Sequence, residues 1–93
     1  MITIDKKEIK ACCGKSQIIW KLNVPIKQEN IDLLQQAGFF PVKSYLNIGM
    51  LYVEDKGLIA SGVFGMNEIR INCKNKLCQE SIILFEKTVL SFQ

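Results

Sequence analysis

The chain reads as an α+β domain in which an antiparallel sheet carries two helices on one face. Three stretches carry that expectation. Residues 17–24 are rich in β-branched and aromatic types, and the run stops at Pro25, which has no N–H to give to a ladder. Residues 68–73 alternate strictly, with Ile69, Ile71 and Cys73 on one side and Glu68, Arg70 and Asn72 on the other, the pattern of a half-buried strand. Residues 77–91 bring Cys78, Ile82, Phe85 and Val89 round at steps of three and four, a series that Phe92 continues just beyond, the spacing of one helix face.

The remaining elements follow in order. Ile2, Thr3 and Ile4 predict an edge strand or a loose arm within residues 1–14. After the first strand, Ile31, Leu34 and Ala37, with Leu33 beside them, recur at helical spacing over residues 27–37. Gly38 stands where a helix ends in a left-handed residue, and Phe39 is placed to fold back on the last turn. Pro41 opens a second β region over residues 42–53, where Gly49 breaks the alternation and predicts a bulge or bend. Glu54, Asp55, Lys56 and Gly57 spell a turn, so residues 58–64 return as the other arm of a hairpin. Met66 and Asn67 turn the chain once more into the strand at 68–73. In the last helix Ile83, Leu84 and Leu90 widen the apolar stripe, which predicts that much of that helix is covered. The whole of 1–93 is expected to form a single domain, and the order of elements is close to a small ferredoxin-like, split βαβ arrangement.

Composition narrows function mainly by exclusion. The chain has no histidine, so neither a Ser-His nor a Cys-His nucleophile pair can be assembled from its own residues. The acids at Glu54, Asp55, Glu68, Glu80 and Glu86 form no recognisable catalytic pair, and no oxygen-rich cation loop is spelled out. Gly14, Lys15 and Ser16 echo the end of a phosphate loop, but Ile9 stands where its first glycine is required and a strand is expected where its helix should follow. The net charge of +3 is too small to mark a nucleic-acid footprint by itself. Lys6, Lys7, Lys10, Lys15 and Lys21 do crowd the first part of the chain, so weak nucleic-acid binding through these lysines is the third reading, and nucleic acid is not the expected partner. No apolar run approaches a membrane span and the first residues are too charged for a secretion signal, which predicts a cytoplasmic protein with no membrane partner.

A cytoplasmic setting makes Cys12, Cys13, Cys73 and Cys78 thiols or metal ligands before disulfides. No cofactor is expected, but four thiolates can hold zinc or an iron-sulfur cluster if the fold gathers them. The adjacent Cys12 and Cys13 fit such a site poorly, because successive side chains of an extended segment face opposite ways. Cys73, alternating with Ile69 and Ile71, reads as a small core residue. Cys78 opens a helix near Lys74 and Lys76, where unpaired N–H groups and positive charge lower a thiol's pKa, so a reactive thiol belongs to the same alternative.

These exclusions leave a small non-catalytic binding or regulatory module that works through a protein partner or through its own copies. Trp20, Tyr45, Met50, Tyr52 and Met66 are the expected contact residues, since aromatic side chains and methionine are enriched at interfaces.

Overall fold

The structure is a computed structural model that describes residues 1–10, 16–74 and 77–92. Six strands, β1 (Ile4–Lys10), β2 (Ser16–Leu22), β3 (Phe40–Pro41), β4 (Met50–Asp55), β5 (Leu58–Val63) and β6 (Glu68–Cys73), form one sheet in the order β1-β2-β6-β5-β4-β3. Every neighbouring pair is antiparallel. Helices α1 (Asn30–Gln36) and α3 (Cys78–Val89) pack on one face, and the four-residue α2 (Lys43–Leu46) lies between β3 and β4.

The α+β class holds, but the strand order is not ferredoxin-like. In a split βαβ unit one strand separates the two strands that a helix joins. Here α1 joins β2 to β3 with β6, β5 and β4 between them. Strands β3 to β6 follow one another as an antiparallel meander. A two-residue turn joins β4 to β5, residues 64–67 join β5 to β6 and the α2 segment joins β3 to β4, so the run fills the sheet from β6 to its far edge.

Local chemistry explains most element ends. Gly38 (φ 102°) closes α1 in a Schellman arrangement. Its N–H donates to the Gln35 carbonyl, and the N–H of Phe39 donates to that of Leu34. Lys56 and Gly57, both at positive φ, make the two-residue turn between β4 and β5 that matches strand twist. Gly49 (φ 80°) does not bulge a long strand, as the alternation had suggested. The stretch from Pro41 instead splits into β3, α2 and β4, with Gly49 in the left-handed turn before β4. The N-terminal segment is the edge strand β1, paired along its whole length with β2.

The core lies between the sheet and α1 and α3. The sheet contributes Trp20, Leu22, Leu51, Val53, Leu58, Ala60, Ile69 and Ile71, which meet Leu34, Phe39, Phe85, Val89 and Phe92. Phe85 is its hub: its ring lies 5.8 Å from that of Trp20 and meets Phe39 edge-on at 5.4 Å. Helix α3 is less covered than its apolar content suggests. Ser81 and Thr88 occupy inward positions, while Ile83, Leu84 and Leu90 are 71%, 41% and 49% exposed.

Candidate functional site: the uncovered sheet face

Strand alternation sends one residue in two away from the helices, and the register assembles those residues into rows. Lys7, Ile19, Arg70, Ser61 and Tyr52 form one row across β1, β2, β6, β5 and β4. Lys21 pairs with Glu68, and Met50 with Val63, at one end of this face. Ile59 and Asn72 pair at the other. Ile19 is 9% exposed although it points away from the main core. Its cross-strand neighbours on either side are Lys7 and Arg70, residues whose aliphatic stems can cover apolar surface.

Aromatic packing fixes one margin. Tyr45 of α2 stacks on Tyr52 of β4, with centroids 4.4 Å apart and planes 13° from parallel. The Tyr52 hydroxyl donates to Glu54 Oε1 at 3.3 Å. Burial, first, and then the neighbouring Glu54 carboxylate raise the Tyr52 phenol above its ordinary pKa.

Beside this pair lies a concavity of about 360 Å³, lined by Met50, Ser61, Gly62, Val63, Met66, Glu68 and Arg70. Its rim is held by backbone: Ile26 N–H donates to the Met66 carbonyl and Gly65 N–H to that of Ile26, at 2.7 and 2.8 Å. Gly65 (φ 90°) lets the turn close between Val63 and Met66, where a side chain would be strained. Met66 and Val63 are 57% and 46% exposed. Among the described residues the Arg70 guanidinium has no ion-pair or hydrogen-bond partner. An apolar side chain and a carboxylate could therefore be held side by side here.

Four of the five expected contact residues, Tyr45, Met50, Tyr52 and Met66, lie along this face or its rim. Trp20 does not. It is 1% exposed and packs on Phe85, with Lys6 Nζ 5.5 Å from its ring centroid, so it is a core residue and no contact surface. Sequence reasoning passed over Arg70, Val63 and Ser61. The alternation of residues 68–73 had already put Arg70 on the polar side, and only the pairing of β6 with β5 shows that this is the side of Met50 and Tyr52.

The N-terminal lysines are divided between the two faces. Lys6 lies on the helix side, where it pairs with Glu86, while Lys7 and Lys21 stand on the open side beside Ile19 and Glu68. Lys15 lies outside the described residues, as do Cys12, Cys13 and Gly14. Cys73 and Cys78 are joined in a disulfide with Cα atoms 5.6 Å apart, linking the end of β6 to the first turn of α3. That bond corrects the expectation of two free thiols, and with it the reactive Cys78. Nor is Cys73 a core residue: it is exposed at the last position of β6. Among the described residues no three His, Cys, Asp or Glu side chains are placed to share a metal ion, and no helix is long and apolar enough to cross a membrane. Searches against protein-family models, curated proteins and solved structures return no match to this chain.

Proposed function

We propose that this chain is a small non-catalytic binding module whose uncovered sheet face takes a segment of a partner protein bearing an apolar side chain next to a carboxylate. The observation that carries the reading is the Met50, Val63 and Met66 lining set against an Arg70 guanidinium without a partner among the described residues. Methionine adapts to varied apolar shapes, and an arginine fork fixes a carboxylate in register. The backbone-pinned rim lowers the ordering cost of binding.

The reading places the module in the cytoplasm, where thiols are held reduced. Binding is expected to be indifferent to the state of Cys73 and Cys78. Cys73 ends the inward row of β6, whereas Glu68, at the groove, begins that strand. They are five residue steps apart along the strand, about 16 Å.

A displayed library of random peptides, panned on the protein and counter-selected on Arg70→Glu, tests the proposal. Enriched peptides should share an aromatic or aliphatic residue within a few positions of Asp or Glu. Their affinity should fall roughly tenfold or more in Arg70→Gln and in Met66→Asp, about 1.4 kcal/mol or more, with the far-UV spectrum unchanged. Absence of enrichment, or affinities that ignore both substitutions, overturns it.

A further inference from the structure

Helix α3 shows solvent a pattern its packing does not require. Its inward positions are taken by Cys78, Ser81, Phe85, Thr88 and Val89. Its outer side carries Ile83 and Leu90, with Leu77 and Leu84 on the flank; the four are 71%, 49%, 60% and 41% exposed. At 100° per residue Glu80 and Lys87 run between these two pairs, with Leu77 and Leu84 along one margin and Ile83 and Leu90 along the other. Glu80 and Lys87 are seven residues apart, about 10 Å along the axis, so they are not the neighbours that residues three or four apart would be. The described residues contain no ion pair for either of them.

The order of these residues is symmetric. Glu80 and Lys87 are centred between Ile83 and Leu84, and so are Leu77 and Leu90. A second α3 laid antiparallel on the first, with the two-fold axis crossing between Ile83 and Leu84, therefore sets Glu80 of each copy against Lys87 of the other. Ile83 and Leu84 meet their own equivalents at the axis, and Leu77 comes to the height of Leu90 of the second copy on the opposite margin. A parallel pair would instead set Glu80 against Glu80 and Lys87 against Lys87. Self-complementarity of charge and apolar position about one axis is what an isologous interface requires.

We infer that the exposed side of α3 is an interface for a second copy of this chain, forming an antiparallel two-fold dimer closed by two Glu80–Lys87 pairs around Ile83 and Leu84. The twelve-residue helix is about 18 Å long. A contact of that length is smaller than a standard interface of about 1,600 Å², so the dimer is weak, with a Kd of roughly micromolar or above. The surface lies on the helix layer, and the sheet-face groove stays open in the dimer.

Sedimentation equilibrium from micromolar to millimolar protein tests this. The apparent mass should climb from 10.6 kDa towards twice that value as concentration rises. Ile83→Glu should hold the protein monomeric throughout. Glu80→Lys and Lys87→Glu should each weaken association about tenfold or more, and the combined exchange of both charges should restore it. All three positions are solvent-facing, so the far-UV spectrum should not change. Arg70→Gln should leave the dimer intact. A protein monomeric at every concentration overturns the inference, as does a dimer indifferent to Ile83→Glu or a charge exchange that fails to rescue.

Discussion

The Ser81 hydroxyl donates a 2.7 Å hydrogen bond to a carboxylate oxygen of Asp55, tying α3 to the β4–β5 hairpin. Ser81 is 3% exposed, so its polar side chain at an inward helix position has its partner in the sheet. A serine there replaces an apolar residue of the stripe, and the bond offsets the cost of burying the hydroxyl. Ser81→Ala removes a bond to a charged group and should lower unfolding free energy by about 1.5 kcal/mol in a urea titration. An unchanged midpoint would mean that water replaces the hydroxyl without loss.

Gly62 of β5 sits where the sheet has no room for a side chain. A Cβ added there would lie 2.7 Å from Ile26 Cδ1 and 2.9 Å from the Glu68 backbone oxygen. The isoleucine tip can swing, but the carbonyl belongs to β6 and cannot withdraw without disturbing the ladder. Gly62→Ala should cost roughly 1–3 kcal/mol by overpacking. Because Gly62 also lines the groove, the same variant should weaken any peptide selected there.

The Cys73–Cys78 bond closes a short loop, with four residues between its cysteines. In the chain-entropy account a loop of this size stabilises by about 2 kcal/mol. Reducing agent, or Cys73→Ser with Cys78→Ser, should therefore lower Tm by on the order of 10 °C. Equal melting curves with and without reductant would show that the covalent link adds nothing to the packing of α3. Thiol counts on native and reduced protein give the oxidised fraction independently.

Periodicity made several elements legible. The strict alternation of residues 68–73 and the Gly38–Phe39 end of α1 were plain because each depends on a local rule. The turn at Lys56–Gly57 was plain for the same reason. Strand order was not legible, since nothing within β2 says that β6, rather than β3, lies beside it. Trp20 shows the corresponding limit for the site. An aromatic residue in a strand suits a core or a contact surface equally, and only the position of Phe85 decides. Tyr45 and Tyr52 fell together because α2 lies against β4, a helix that the sequence reading had taken for strand. Cys73 was misread because alternation predicts which way a side chain points but not whether anything covers it, and Cys78 because helical spacing does not say that Cys73 lies within bonding distance of it.

Tyr52 gives the open face a pH signature. Its phenol is raised above the ordinary value of 10.0, first by burial and then by the Glu54 carboxylate, which also accepts its hydrogen bond. The folded protein thus holds this proton more tightly than the unfolded chain does. The associated stability is fully present below pH 10 and is lost as pH rises through the higher folded value. In an alkaline titration followed by tyrosinate absorbance, wild type should show a late component that disappears in Tyr52→Phe. Stability should decline less steeply above pH 10 in Tyr52→Phe than in wild type. Glu54→Gln removes the charge but keeps an acceptor, so it should bring the late component back part of the way and leave the share due to burial. A Tyr52 component at its ordinary position in wild type would show that the phenol is solvated, and that neither Tyr45 nor Glu54 constrains this margin of the sheet.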